Sequence, residues 1–370
     1  MRAATALVLA QLAQCGAVGL NFAFHKGRLF TSIENQNGFA GDMMVIAMLQ
    51  LEHFHGHEVP DVYGSVEGGL TNDFAHGDFS HWREPGTTES ILLPDYDYWG
   101  DVSLHIPPLP LMMRVFDAEM PAWSERAQQV FWTGNGMNGG HGRQVRADYI
   151  ECAKAHPREA VVSTVAWGRN TGFVHSQHVR LKDAQSDLRK LQRFTHLPYF
   201  CGTTWSMSYK RILVAGGAVF ADADNQHETF FTQLMEGCTD CLLYYNASDV
   251  CASLLAQARA DSDAEARAKR LHSHVSAQFR PESVRRGMVQ ALREHAARVN
   301  HTFDLEEGGE ALRIGTRPIR TLRRTVCLGH LKQLLDKVHP ADKWQLMEWY
   351  DMRTCDFAQA GTDYLRFVAV

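Results

Sequence analysis

At 370 residues, with 45% hydrophobic and 21% charged residues, the chain is long for one core and suits two domains, and its composition excludes a disordered chain or a repeat array. A formal charge of −5 excludes a globally basic, nucleic-acid-binding surface; the local basic run Arg317 to Arg324 reads as a solvated face. No segment approaches the length of a membrane-spanning helix, and eight cysteines are too few to be the framework of a fold this long, so no pairing follows from their positions.

Met1 to Gly19 has one Arg, a short apolar run and small residues near its end, which loosely imitates a secretory signal, but Gln11 and Gln14 interrupt the apolar run. Asn21 to Ile33 has two short alternating runs around Lys26-Gly27 and predicts a hairpin. Gly41 to His53 predicts a well-buried helix, and Val59-Pro60-Asp61-Val62 opens the next element, the order of a Rossmann-like unit. Between them His53, His55 and His57, at spacing two, would line one side of a strand and could hold a transition metal, with His76 or His81 as a fourth ligand. Gly56 and the run Glu58-Val59-Pro60 favour a helix-ending surface loop there instead.

Gly86 to Gly100 is rich in aromatics, including Tyr96 and Trp99, which suit either a core or a surface for stacking on sugar. Phe131-Trp132-Thr133-Gly134-Asn135 ends a predicted strand and leads into a loop with Gly136, Gly139, Gly140 and Gly142, followed by a helix starting near Arg143. Such a loop lets backbone approach a diphosphate. A strand at Ala160 to Ala166 and a helix at Ser186 to Arg193 come next. Tyr199 to Phe220 then sets Gly202, Thr203, Thr204, Ser206 and Ser208 ahead of a helix, Tyr209 to Ala215, and a strand, Ala218 to Phe220. The pattern by itself favours a capped helix before a buried strand, and it also suits an anion cradle at a helix N-terminus.

Cys238 and Cys241 form a lone C-x-x-C, read as a loop disulfide or two free thiols in preference to a metal or redox site. Asn246-Ala247-Ser248 and Asn300-His301-Thr302 are glycosylation sequons, which permit a secretory location. Asp249 to Arg270 and Pro281 to Val299 have helical character, and Asn300 to Val370 reads as mostly helical.

In this order, from about Asn21 to Phe279, several stretches resemble glycosyltransferase family 90, the protein O-glucosyltransferase and capsule-associated xylosyltransferase-like enzymes. They are the hairpin, Gly86 to Gly100, Phe131 to Asn135 with Arg146-Ala147-Asp148, Gly202 to Lys210 with Gly216-Gly217, and Phe230-Phe231-Thr232 with Tyr244-Tyr245. The run Trp205-Ser206-Met207-Ser208 is similar to that of the plant-type members. In family members a helix precedes the hairpin, so Met1 to Cys15 is expected to be domain helix, which leaves any leader outside this chain.

The resemblance implies an α/β fold of two facing Rossmann-like domains (GT-B type), at residues 1–165 on the acceptor side and 166–299 on the nucleotide-sugar side, with a helical C-terminal extension at 300–370. It implies inverting, metal-independent transfer of glucose or xylose from a UDP-sugar to a hydroxyl of a protein or glycan, with no cofactor, in the endoplasmic reticulum or Golgi lumen. Asp95-Tyr96-Asp97 and Asp222-Ala223-Asp224 have only the spacing of a metal-binding Asp-x-Asp. The resemblance points to Asn135, Gly202, Thr203, Thr204, Trp205, Ser206, Ser208, Lys210 and Glu228 for donor binding, with Glu228 on the ribose hydroxyls. Trp132, Tyr96 and Trp99 are expected to touch acceptor or sugar. Arg146, with Arg143 as substitute, would neutralise the departing nucleotide.

Two departures stand out. Thr133 replaces a basic residue, and the general-base Asp is displaced to Glu67 or Asp73, or absent. They motivate an alternative, a carbohydrate- or UDP-sugar-binding relative without turnover. A His-based metal hydrolase is the second alternative.

Overall fold

The structure, a computed structural model, describes residues 18–32, 39–68, 78–84, 86–87, 90–100, 108–134, 141–164, 186–202, 206, 208–223, 228–299, 302–305, 311–314 and 317–320. It divides into two compact units, Met1–Leu104 with Arg285–Val370, and His105–Val284. Boundaries at 165 and 299 were expected. The strand Ala127–Gly134 hydrogen-bonds to Phe194–Pro198 on one side and to Ala160–Thr164 on the other, so both Ala127–Gly134 and Ala160–Thr164 belong to the sheet of the second unit.

In the first unit, Val18–His25 and Arg28–Ser32 form the expected hairpin. Its turn residues Lys26 (φ 48°) and Gly27 (φ 75°) are both left-handed, as a two-residue turn matched to strand twist requires. Asp61 secures this turn, accepting from the Lys26 N–H at 2.7 Å and lying 2.8 Å from His25 Nδ1. Gly27 and Gly56 pack backbone to backbone: a Cβ on Gly56 would lie 2.7 Å from Gly27 O. Gly56 therefore serves a close contact with the hairpin.

The sheet order is Arg28–Ser32, Val18–His25, Val62–Gly68, Phe79–Ser80, Ile91–Leu92, antiparallel for the first two pairings and parallel for the last two. The helix Phe39–His55 packs on this sheet, and Met44, Val45, Ile46, Ala47, Met48, Leu49 and Leu51 are all buried. Apolar residues on every side of a helix mean burial on every side.

The described part of the C-terminal extension corrects the helical expectation. Phe303–Leu305, Ala311–Ile314 and Arg317–Arg320 form a three-stranded antiparallel sheet. Leu312 packs, fully buried, against Ala23 and Phe30 of the hairpin. Alternation around Leu312 and Ile314 suits a strand with one buried face, and this tertiary contact outweighs local helix propensity.

The second unit holds a five-stranded, wholly parallel sheet. Its strands in chain order are Ala127–Gly134, Ala160–Thr164, Phe194–Pro198, Ala218–Asp222 and Leu242–Tyr245, and their spatial order is 2-1-3-4-5. The helices His141–Ala155 and Val250–Ala260 pack together on one face, where the core gathers Val130, Trp132, Tyr149, Phe200, Phe220, Tyr245 and Leu254. On the other side are Ser186–Leu191, Ser208–Val214 and Ala264–Gln278. A disulfide, Cys152–Cys251, joins the two helices of the first face, and Cys238–Cys241 closes the C-x-x-C loop.

His196, on the central strand, is buried with Nδ1 3.0 Å from Thr195 Oγ1 and Nε2 3.7 Å from Asp261 Oδ2. Arg267 lies 3.5 Å from the other Asp261 oxygen. Burial holds the imidazole below its ordinary pKa; Asp261 partly offsets this and Arg267 adds to it. A base with a depressed folded pKa binds its proton more readily when unfolded. Its contribution to stability is therefore complete above the unfolded value of about 6.5 and is lost as pH falls through it. Urea unfolding across pH 7 to 5 is expected to show a falling midpoint, with a shallower fall in His196→Asn; equal slopes would contradict this.

Candidate active site

In an open parallel sheet, neighbouring strands whose connections run to opposite sides leave a crevice beyond their carboxyl ends, and ligands bind there. In the order 2-1-3-4-5 this switch point lies between Ala127–Gly134 and Phe194–Pro198. At these ends stand Gly134, the last residue of its strand, and Tyr199 to Gly202, just past Pro198.

The segment after Pro198 is held from several sides. Tyr199 N–H donates to Phe220 O at 2.8 Å, extending the sheet pairing. The Tyr245 hydroxyl, at the end of the last strand, donates to Tyr199 O at 3.1 Å. Arg146, on the helix His141–Ala155, donates from Nη2 to Phe200 O at 3.0 Å. Its guanidinium lies 5.6 Å from the Trp132 ring centroid, and the Phe200 ring meets Trp132, Tyr149 and Tyr245 at 5.2 to 5.5 Å. Gly142 permits this arrangement: a Cβ there would sit 2.8 Å from Gly202 O, 2.7 Å from Cys201 C and closer still to Cys201 O.

A cation is thus placed beside the switch point. Arg146 is only 3% exposed. Burial lowers its pKa, while Tyr199, Cys201 and Tyr245 raise it; a guanidinium keeps its charge through such a change. Close by, Asp222 ends its strand, buried, with Tyr245 and Cys201 sensing its charge. Burial pushes the Cys201 thiol up to about 11, so it stays protonated near neutral pH. The Tyr245 phenol is held far above its ordinary pKa by burial first and Asp222 second, which keeps it a donor. Tyr245→Phe leaves Tyr199 O without this donor and is expected to cost about 1 kcal/mol or somewhat more. A denaturant midpoint unchanged from the parent protein would show that the bond contributes nothing.

Ser206 and Ser208 are half-buried at the start of the helix Ser208–Val214. Their hydroxyls lie 2.8 Å apart, Ser206 Oγ accepts from Ser208 N–H at 3.4 Å, and Ser206 N–H donates to Tyr199 Oη at 3.2 Å. These bonds organise the turn locally and leave remaining hydroxyl capacity for a ligand. Gly202 is buried beside Gly142. Lys210 is buried in the same helix with its ammonium 5.5 Å from the Phe231 ring centroid. Glu228 is half-buried just before the Thr229–Thr232 capping box that starts Phe230–Gln233. Arg143 is exposed one turn before Arg146.

Asn135, Thr203, Thr204, Trp205 and Asp73 lie outside the described residues. Tyr96 takes part in the 3-10 turn Tyr96–Trp99, and Glu67 pairs with Gly19 and Ser80 in the strand Val62–Gly68; of both, only the backbone is described. Trp132 and Trp99, expected at a sugar or acceptor surface, are core residues. Trp132 is 2% exposed beneath Arg146, and Trp99 is 1% exposed with Nε1 donating to Gln50 Oε1 at 3.1 Å. Large aromatic surfaces stabilise most when wholly removed from water.

The three histidines do not converge. His55 is buried with Nδ1 2.8 Å from Glu58 Oε1, the His57 side chain is 81% exposed, and exposed His53 meets Phe54 edge-on. Among the described residues the one group close enough to hold a metal is Cys238, Asp240 and Cys241, whose two sulfurs are joined to each other. His76 lies outside the described residues.

Residue reasoning named Asp222, Tyr245 and Gly142 only as parts of motifs and did not assign them these positions in the site. For Asp222 a signal existed: Ala218 to Ala221 is apolar and ends in a carboxylate, the pattern of a buried strand whose last residue reaches a carboxyl-end crevice. For Gly142 and Tyr245 the reason is a contact with a segment far away in sequence, which no local pattern carries.

A comparison with curated proteins finds no match. The sequence model of glycosyl transferase family 90 matches residues 72–340, nearly three-quarters of the chain, including the whole switch-point site. A parallel α/β unit, and a family match that covers well over half of the chain and runs through that unit, lead to one conclusion: the chain belongs to glycosyl transferase family 90.

Proposed function

We propose that the protein transfers glucose or xylose from a UDP-sugar to a hydroxyl of a protein or glycan acceptor, with inversion and without a metal, in the endoplasmic reticulum or Golgi lumen. The GT-B type of two-domain fold is part of the same proposal. Family membership supports the reaction class. The observation that carries the site is the buried Arg146 guanidinium beside the switch point, bonded to Phe200 O.

In this reading the bond from the anomeric carbon to the diphosphate breaks as the acceptor oxygen attacks from the opposite side. A carboxylate, Glu67 or Asp73, takes the hydroxyl proton. Arg146 offsets the charge growing on the UDP leaving group, with Ser206, Ser208 and nearby N–H groups donating to it. Glu228 accepts from the ribose hydroxyls. The choice between xylose and glucose rests on one hydroxymethyl group, a difference that side-chain placement controls.

A second reading, a UDP-sugar-binding relative without turnover, is favoured by Thr133. Its hydroxyl donates to Ser163 O at 3.0 Å, where the resembled pattern has a basic side chain.

Release of free UDP from a panel of UDP-sugars tests both readings. Slow hydrolysis of UDP-glucose or UDP-xylose, unchanged by chelator, supports the transferase. UDP binding without release from any donor supports the second reading. Neither binding nor release overturns both.

A further inference from the structure

We infer that Asn246 carries an N-linked glycan, seated against the exposed ring of Tyr244. This does not rest on the transferase reading, because it concerns a different part of the second unit's surface and a reaction performed on the chain by another enzyme.

Asn246-Ala247-Ser248 is the turn that follows the edge strand Leu242–Tyr245. Asn246 and Ser248 are both exposed. Asn246 Oδ1 accepts from Ser248 N–H at 2.9 Å and from the Ser248 hydroxyl at 2.8 Å. The sequon hydroxyl is therefore already paired with the carboxamide oxygen. Among the described residues no hydrogen bond engages Nδ2, so the nitrogen that would carry the sugar is open to solvent. The other sequon, at Asn300, lies outside the described residues and carries no part of this inference.

A second observation concerns what the glycan would touch. Exposure alternates along this edge: Tyr244 is 45% exposed, Tyr245 is buried, and Asn246 is exposed. Side chains two apart in extended chain share a face, so the Tyr244 ring and the Asn246 carboxamide lie on the same side. Tyr244 is one of few large hydrophobic residues left this open among the described residues. An aromatic face carries negative charge density, and the apolar C–H face of the first sugar is polarised to meet it. The glycan would remove from water the part of this ring that the unit leaves exposed.

A third observation concerns compartment. Cys241 and Cys251 bracket the sequon, and each is in a disulfide, with Cys238 and Cys152 respectively. Disulfides form and persist where the surroundings are oxidising, as in the secretory lumen, and oligosaccharide transfer to asparagine takes place there.

The donor is a polyprenyl-diphosphate-linked oligosaccharide. A bond forms between Asn246 Nδ2 and the anomeric carbon of the reducing-end sugar, and the bond from that carbon to the diphosphate oxygen breaks. The electron pair leaves with the lipid diphosphate, and one carboxamide proton passes to a base of the transferring enzyme.

The test is to direct the full chain through the secretory pathway of a eukaryotic host and map its peptides after peptide-N-glycosidase digestion in heavy-oxygen water. The expected result is isotopically labelled aspartate at position 246, lost in Asn246→Gln and in Ser248→Ala and kept in Ser248→Thr. Secreted, folded protein with unmodified Asn246, in both the parent and Ser248→Thr, would overturn the inference. Enzymatic removal of the glycan is expected to lower the Tm of the parent but not of Tyr244→Ala. An equal effect in the two would overturn the seating on Tyr244.

Discussion

Gly142→Ala is expected to destabilise the second unit by about 3 kcal/mol or more, the upper range for forcing extra volume into a packed site. The added methyl would lie 2.7 Å from Cys201 C and 2.8 Å from Gly202 O. These are backbone atoms, so no rotamer change relieves the overlap. The segment Tyr199 to Gly202 is held by the bond from Tyr199 N–H to Phe220 O and by donors from Tyr245 and Arg146, so moving it means breaking those bonds. The alternative is to tilt the first turn of His141–Ala155 away, which draws Arg146 off Phe200 O. Either route damages the site as well as the fold. Denaturant unfolding and UDP binding, measured together on Gly142→Ala and Gly142→Ser, check this. A variant with the parent midpoint and parent affinity would mean that the helix and the segment are not in this contact.

Arg146→Ala is expected to reduce UDP release by about 100- to 1,000-fold, the usual loss when one donor to a charge formed in the transition state is removed. It also removes the donor to Phe200 O, a charge-assisted bond with a net contribution of about 1.5–3 kcal/mol, and it leaves Trp132 without the guanidinium above it. Arg146→Lys separates the two effects. It keeps a cation near the diphosphate but has no planar fork to bond the carbonyl while stacking on the indole, so partial activity with reduced stability is expected. Arg146→Ala that is folded and releases UDP within about threefold of the parent rate would remove Arg146 from the proposed chemistry, since only a group felt in the transition state changes the rate in this way.

Much of the local structure was legible in the sequence. Lys26-Gly27 between two alternating runs marked the hairpin, the apolar run from Gly41 marked a buried helix, and Ser208 and Gly216 framed the short helix Ser208–Val214. Arg146, singled out by its motif, bonds Phe200 O just past the strand Phe194–Pro198. The order of the family-like stretches also pointed to glycosyl transferase family 90. These signals are short-range: turn φ angles, periodicity and motif spacing are set by residues within about one or two turns of each other, and they survive in the bare chain.

Three further matters were settled only by tertiary contacts. Strand pairing set Ala127–Gly134 beside Phe194–Pro198, within the compact unit His105–Val284. Burial made Trp132 and Trp99 core residues, although an aromatic in a motif reads the same inside or outside. Packing on Ala23 and Phe30 turned the segment around Leu312 into strands. Similarly, the partner of Cys152, the need for glycine at 142 and the grip of Tyr245 on Tyr199 each join residues dozens of positions apart. The sequence by itself determined the family and such local elements as the hairpin and the helix from Gly41, because a hydrophobic period or a turn preference is written within one element. The tertiary structure alone decided which of those elements meet, because the energy of pairing and burial depends on partners that a local window does not contain.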